Sequence, residues 1–159
     1  MDIIFKPIGI IHSPFHTLED MPIQPTSEAS QPGMVEIFPQ FANGLADLAG
    51  FSHVYLIYHL HRVERTKLTV IPFLDTQPRG LFATRAPSRP NPIGLSLVEL
   101  ERVDDNRLYI AALDVLDQTP LLDIKPYIPE FEPQQNVRIG WVKQARGRVR
   151  QQKSDERFK

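Results

Sequence analysis

The 159-residue chain contains no cysteine. This absence excludes disulfide bonds, iron–sulfur clusters, thiolate zinc sites and cysteine nucleophiles, and it suits a reducing compartment. No apolar run reaches the roughly 20 residues that a membrane helix needs. The N-terminal MDIIFKPIGIIHSP also lacks the basic, apolar and small-residue sections of a signal peptide. We therefore expect a cytoplasmic protein that does not span a membrane.

Glycine is scarce and proline is abundant, with eight glycines against 15 prolines. Proline disfavours helix interiors, so this composition favours short strands and ordered loops. The chain is 42% hydrophobic and 23% charged, which is ordinary for a globular protein of one domain with a substantial core.

The usual nucleotide and hydrolase motifs are also missing. No G-x-G-x-x-G follows a predicted strand, and there is no P-loop and no G-x-S-x-G elbow. His59 and His61 share one face of a predicted strand. Without a nearby carboxylate or a third histidine, however, we expect no metal site there.

Short strands account for most of the local patterns. SHVYLIYHLHR is rich in β-branched and aromatic residues and predicts a buried central strand. LSLVELERV and RLYIAALDVL flank Asp104, Asp105 and Asn106, which predicts a hairpin. KLTVIPF and GLFAT are predicted as further short strands. Only QFANGLADLAGF has helical spacing, with Gly50 placed to end a helix. The pattern predicts a mostly-β barrel or sandwich with one or two short helices.

The net charge of −1 conceals an uneven distribution. Residues 138–159 hold eight Lys or Arg residues and two acidic residues, Asp155 and Glu156. A basic terminus often contacts nucleic acid, although it can also be a solubilising, partly disordered tail. We predict a barrel domain over residues 1–142 and a basic C-terminal tail over residues 143–159.

Polar residues concentrate in two stretches of the second half. RAPSRPNPIG places Arg85, Arg89 and Asn91 among prolines, and LDVLDQTPLLDIKPYIP places several carboxylates among apolar residues. A carboxylate at the end of an apolar strand is costly to bury unpaired. Two interpretations follow: either arginine–aspartate pairs staple the loops, or both stretches contact a ligand.

These stretches resemble the TsaA/TrmO-like family of S-adenosylmethionine-dependent tRNA methyltransferases, which modify N6 of an adenosine beside the anticodon. The resemblance covers most of the chain in five ordered blocks: IGIIHSP, QPG, FSHVYLIYHLHR, FATRAPSRPNPIGLSLVEL and LDVLDQTPLLDIKPYIP. It implies a single-sheeted antiparallel β-barrel that binds S-adenosylmethionine as a homodimer. It also implies methylation of N6 of (threonylcarbamoyl)adenosine 37 in tRNA.

The resemblance also implies a set of cofactor-binding positions. S-adenosylmethionine carries a sulfonium cation, an ammonium and a carboxylate; the planar Arg85 guanidinium suits the carboxylate, and Asp114 or Asp117 can take the ammonium or the ribose hydroxyls. The prolines around Arg85 would pre-set the loop and reduce the entropy lost on binding. The matching positions are Gln31, Pro32, Gly33, His61, Arg62, Arg85, Leu95, Asp114, Val115, Leu116 and Asp117.

Methyl transfer to an adenine amine needs alignment and a group that accepts the N6 proton. We take Asp123 as the candidate acceptor, Asn91 as an orienting group and Tyr127 as a stacking platform. Two alternatives stay open at this point. The barrel can act on a small molecule or a protein instead of tRNA, or it can bind S-adenosylmethionine without catalysis.

Overall fold

Six strands form a closed antiparallel barrel in the computed structural model, which describes residues 1–19, 21–23, 25–145, 147–148, 150–155 and 157. The barrel order is β1-β2-β7-β6-β3-β8, and β4 and β5 form a separate two-stranded sheet. The predicted mostly-β, single-sheeted antiparallel barrel is confirmed. The strands are β1 (Gly9–His12), β2 (Gln31–Ile37), β3 (His53–His59), β4 (Thr69–Val70), β5 (Arg79–Gly80), β6 (Ile93–Asp104), β7 (Arg107–Leu113) and β8 (Thr119–Pro126).

The helical elements are short 3-10 helices. The predicted helix in QFANGLADLAGF is found as two of them, Pro39–Leu45 and Leu48–Gly50. Asp47 separates the two with a left-handed backbone, φ 67°. The other 3-10 helices of the described residues are Leu81–Ala83, Pro129–Phe131 and Gly140–Ala145. No helix among the residues of known placement is long and apolar enough to cross a membrane.

The core fills the inside of the barrel because the strands alternate in hydrophobicity. In β3, Val54, Leu56 and Tyr58 are buried, whereas the residues between them are more exposed, as expected for a strand with a side-chain period of two. Buried residues of the other strands complete the core, among them Ile11, Val35, Val98, Leu108, Ile110 and Leu121.

One end of the barrel brings the two polar stretches of the sequence together. β3 runs antiparallel to β6, so its last residue, His59, lies opposite the first residue of β6, Ile93. β7 also runs antiparallel to β6 and ends at Leu113, at the same end of the barrel. The proline-rich loop before β6 and the connection after β7 therefore meet there.

Candidate functional site

A cavity of about 970 Å³ opens at this end of the barrel, within the usual range of small-molecule sites, roughly 300–1,000 Å³. Its walls come from the ends of β3 and β6, the proline-rich loop, the connection after β7 and two further sets of residues, which are 18, 21–23 and 25–26, and 141–142 and 154–155. The lining is mostly apolar. The charged groups in it are Arg62, Arg85, Arg89, Asp114 and Asp155.

Three polar side chains form a hydrogen-bonded chain in the cavity wall. Ser96 Oγ donates to Asp114 Oδ1 at 2.7 Å, and the Tyr58 hydroxyl lies 2.9 Å from Ser96 Oγ. A serine hydroxyl has one hydrogen. Because that hydrogen goes to Asp114, Tyr58 must be the donor to Ser96. The chain of donation therefore runs from Tyr58 through Ser96 to the Asp114 carboxylate.

The environment of this chain changes the acidity of its members. Burial raises the pKa of Asp114 to about 6, although the hydrogen bond from Ser96 and the charge of Arg85 act in the opposite direction. Burial also raises the pKa of Tyr58, with a further contribution from the Asp114 charge. Tyr58 therefore remains a hydrogen-bond donor at neutral pH, and most of the Asp114 population is ionised.

The two arginines of the proline-rich loop have different roles. Arg89 Nη1 donates to the carbonyl oxygens of Thr84 at 2.9 Å and Ala86 at 3.2 Å, and its guanidinium lies 5.7 Å from the centroid of the Phe82 ring. Arg89 therefore holds the loop in shape. Arg85 is exposed and lines the cavity. Of the six ion pairs found among the described residues, none involves Arg85, so its guanidinium is available to a ligand.

His61 lies just beyond the end of β3 and lines the cavity beside Arg62. Its Nδ1 is 3.2 Å from Thr119 Oγ1. Burial lowers the pKa of His61, and the positive charge of Arg62 and the neighbouring His59 lower it further. His61 is therefore a neutral imidazole at pH 7, able to donate or to accept one hydrogen bond.

Three other predicted cofactor residues also line the cavity. Val115 and Leu116 are buried in its wall, and Leu95, half exposed, lies at its rim. Together with His61, Arg62, Arg85 and Asp114, the structure thus brings seven of the predicted cofactor residues to one cavity.

The remaining predicted cofactor residues lie outside the cavity lining. Asp117 accepts a hydrogen bond from the Ser13 amide at 3.1 Å and lies 3.5 Å from His16 Nδ1. Burial raises the pKa of Asp117, but hydrogen bonds from Ser13 and Gln118 and the nearby His16 outweigh it, so the pKa lies below its ordinary value. Asp117 thus ties the end of β1 to the turn before β8.

The QPG stretch forms the beginning of β2. Gln31 pairs with Leu113, the residue before Asp114, and Pro32 is exposed. A Cβ at Gly33 would overlap with the Leu113 side chain, so only glycine fits this contact. Gln31, Pro32 and Gly33 therefore lie next to the strand that ends immediately before Asp114, but they do not line the cavity.

The three predicted catalytic residues are also found outside the cavity. Asp123 Oδ2 forms an ion pair with Lys125 Nζ at 2.8 Å, and Asp123 lies opposite Ile57 of β3. The Tyr127 ring packs edge-on against Tyr55, with centroids 5.9 Å apart. Asn91 is exposed in the loop before β6. Asp123 and Tyr127 thus belong to the outside of the barrel.

Sequence reasoning missed Tyr58, Ser96 and Trp141 as cavity residues. Tyr58 and Ser96 each place a hydroxyl at an inward position of an otherwise apolar strand, and such a hydroxyl needs a buried partner. The sequence indicates that each hydroxyl needs a partner, but it does not identify the partner. Trp141 Nε1 donates to the Ala83 carbonyl at 2.8 Å, and no local pattern indicates this contact.

The described part of the predicted basic tail packs against the loops around the cavity. The Ser154 amide donates to the Met21 carbonyl at 2.8 Å, and Ser27 Oγ donates to the Arg150 carbonyl at 3.1 Å. Arg157 Nη1 donates to the Pro72 carbonyl at 2.7 Å. Positions 146, 149, 156, 158 and 159 of the tail lie outside the described residues. Within the described part of the chain, no group of three or more acidic or histidine side chains can hold a metal ion.

Comparison with known proteins connects this site to a family. The family model of the tRNA-methyltransferase O N-terminal domain matches residues 10–133. A probable S-adenosyl-L-methionine-binding protein of Pyrococcus abyssi is 50% identical over 98% of this chain and 85% of its own length. A human tRNA (adenine(37)-N6)-methyltransferase is 35% identical over 86% of this chain but only 32% of its own length.

A solved structure of TrmO from Pseudomonas aeruginosa superposes with a TM-score of 0.72 at 36% identity. The match covers 89% of this chain and 63% of that one. The chain thus spans nearly the full length of its archaeal relative, but less than two thirds of the bacterial protein and about a third of the human one.

Proposed function

The chain belongs to the tRNA-methyltransferase O N-terminal domain family, and from this premise we propose that it is an S-adenosylmethionine-dependent methyltransferase. The observation that carries the proposal is one apolar cavity that holds a carboxylate, Asp114, and a guanidinium, Arg85, that forms no ion pair with any described residue. A ligand with a cationic group and a carboxylate on one skeleton matches this pair. The archaeal relatives, which are named as S-adenosyl-L-methionine-binding proteins, support the same cofactor.

The residues present fit such a cofactor. The Arg85 fork can bind a carboxylate through two parallel hydrogen bonds, and Asp114 can accept a hydrogen bond from an ammonium. Val115 and Leu116 supply apolar walls that keep water from the bound ligand. When bound, S-adenosylmethionine supplies an electrophilic methyl group.

We propose N6 of adenosine 37 in tRNA as the acceptor, on the model of the mammalian relatives at 34% and 35% identity. The exposed basic residues Lys143, Arg148, Arg150 and Lys153 border the loops around the cavity. Such residues bind phosphates without sequence preference. Their part in this reaction is to bring the anticodon arm to the cavity.

We propose that the predicted catalytic residues act across a homodimer. Asp123 and Tyr127 lie on the outside of their own barrel and do not line its cavity, and in this proposal their surface faces the cavity of a second copy. In such a dimer Asp123 would take the N6 proton, Tyr127 would stack on the base, and Asn91, from the loop before β6, would orient the acceptor.

The test is methyl transfer from labelled S-adenosylmethionine to defined tRNAs. We expect label on N6 of adenosine 37 in tRNA that carries the threonylcarbamoyl group. A matched tRNA with guanosine at position 37 should remain unlabelled. If the protein binds the cofactor but labels neither tRNA, the substrate is not tRNA, and the barrel acts on a small molecule or a protein or does not catalyse methyl transfer.

A further inference from the structure

The proposed reaction gives the hydroxyls of Tyr58 and Ser96 no role. They are nevertheless buried, and they form a chain of hydrogen bonds that ends at Asp114. We propose that Tyr58 and Ser96 are positioning residues that hold the Asp114 carboxylate as the receptor for a positively charged group of the methyl donor. This inference rests on the proposed function. It means that the Asp114 carboxylate alone binds the positively charged group of the methyl donor.

The backbone holds all three residues in place. Tyr58 of β3 lies directly opposite Gly94 of β6, and a Cβ at residue 94 would overlap with the Tyr58 ring. Glycine therefore leaves the space in which the ring lies flat on β6. Ser96, two residues further along the same strand, then faces the Tyr58 hydroxyl on one side and Asp114 on the other.

The hydrogen bonds orient the carboxylate and leave it acceptor capacity. An ionised carboxylate offers about four acceptor sites, and Ser96 occupies one of them on Oδ1. Asp114 also lines the cavity, so its remaining sites can take a hydrogen bond from a ligand.

Among the charged residues described in the cavity lining, Asp114 is the carboxylate that remains available to a cation. Asp155 forms an ion pair with Arg157 at 2.9 Å. His61 is neutral, because its pKa is lowered by burial and by Arg62. The Arg89 guanidinium is engaged by carbonyl oxygens. Arg85 and Arg62, from the proline-rich loop and from the end of β3, remain as positive neighbours suited to the carboxylate of the ligand.

A pH series separates this role from a purely structural one. The dissociation constant for S-adenosylmethionine is measured by calorimetry from pH 5 to pH 9 in the full-length protein and in four variants. These are Ser96→Ala, Tyr58→Phe, Asp114→Asn and, as a matched control, Ser52→Ala, which removes an exposed serine hydroxyl immediately before β3. Protonation of the ligand contributes equally to the pH dependence in all five proteins. Differences in pH dependence between the proteins therefore come from the protein.

We expect the wild-type affinity to fall as acid protonates Asp114, with a midpoint near its pKa of about 6. Ser96→Ala removes a hydrogen bond that lowers this pKa, so the midpoint should move to higher pH. Tyr58→Phe should move it in the same direction by less. Asp114→Asn should weaken binding roughly 10- to 100-fold at pH 8, as expected for a charged hydrogen bond, and abolish this step. Ser52→Ala should match wild type.

The inference is overturned if Ser96→Ala and Tyr58→Phe both keep the wild-type midpoint, or if Asp114→Asn retains the acid step. A wild-type protein that binds no S-adenosylmethionine at any pH would instead overturn the proposed function. If Ser96→Ala fails to fold, as judged by its thermal transition, the more conservative Tyr58→Phe carries the test.

The same series with S-adenosylhomocysteine, which lacks the sulfonium charge, identifies the recognised cation. An equal loss in Asp114→Asn for both ligands assigns the ammonium, and a loss only for S-adenosylmethionine assigns the sulfonium.

Discussion

Two arginines four residues apart in one loop behave differently at the scale of single residues. Arg85 faces the cavity without an ion pair in the described structure, whereas Arg89 binds the carbonyl oxygens of its own loop. Arg85→Ala should therefore weaken binding of S-adenosylmethionine by the ~1.5–3 kcal/mol typical of a charged hydrogen bond, without lowering the melting temperature. Calorimetry and thermal unfolding check both quantities. The exposed Arg107, at the start of β7, supplies the control Arg107→Ala; equal losses in both variants would contradict a specific contact.

The burial of Asp114 has a consequence for the stability of the unliganded protein. Its pKa of about 6 in the folded state exceeds the ordinary 3.8, so the folded state binds this proton more tightly. For this group the free energy of unfolding therefore rises as the pH falls from above 6 towards 4. Asp114→Asn should remove that dependence and raise the stability at pH 8 by about 1–3 kcal/mol. Denaturant unfolding at pH 8 and pH 5 measures it; a variant less stable than wild type at pH 8 would refute it.

Residue types indicated part of the site before the structure did. Arg85 and Asp114 stand out as charged residues among prolines and apolar residues, the family resemblance assigns them to the cofactor, and both line the cavity. Ser96 and Tyr58 were not selected, because a hydroxyl on a strand gives no sign of its partner until neighbouring strands are paired. Asp123 was selected by the same charge criterion as Asp114. Asp123, however, forms an ion pair with Lys125 on the outer surface of the barrel.

At the scale of elements, the C-terminal segment forms part of the cavity wall. Trp141 lines the cavity, hydrogen-bonds to Ala83 and lies under the Arg79 guanidinium at 5.7 Å. Trp141→Ala should weaken cofactor binding by about 1–2 kcal/mol, since it removes one hydrogen bond and an apolar wall. Equilibrium binding measures the effect. Phe41→Ala, at a partly exposed aromatic outside the lining, should leave affinity unchanged. Unaltered binding in Trp141→Ala would show that the segment does not help to hold the cofactor.

Local chemistry predicted some elements well and others poorly. The hairpin of β6 and β7 turns at Asp105 and Asn106, as predicted, with Asp105 in a left-handed conformation at φ 52°. GLFAT was predicted as a strand, but Leu81–Ala83 is a 3-10 helix and only Gly80 belongs to β5. Leu81 and Val70 pack with Ala86 in a small second core, and this tertiary packing outweighs the local preference for extended backbone.

At the scale of the whole molecule, the outside of the barrel is apolar where β3 pairs with β6. Tyr55 lies opposite Leu97 and Ile57 opposite Leu95, all on the outward side. We expect this face to form the proposed homodimer interface, because a closed barrel cannot bury it by itself. Ile57→Lys should convert the dimer to a monomer of about 18.2 kDa in light scattering. Leu68→Lys, at an exposed apolar residue away from this face, should not. A wild-type protein that is monomeric at all concentrations would rule the interface out.

The closed, single-sheeted barrel is predicted by the family resemblance and not by the local patterns. Alternation within a strand does not show which strands pair with each other. The contacts that close it join distant parts of the chain. β1 pairs with β2 on one side and with β8 on the other, and β8 in turn pairs with β3.

This strand order determines when the barrel can close during synthesis of the chain. β1 is the first of the six barrel strands to be made, but its second neighbour, β8, is the last of them. Until β8 emerges, β1 and β3 both present open hydrogen-bonding edges, which invite association with other chains. Contacts of such long sequence separation also form slowly. Nascent chains that stop before β8 should therefore be targets for chaperones, and the protein should acquire its cavity only after β8 has been made and has paired with β1 and β3.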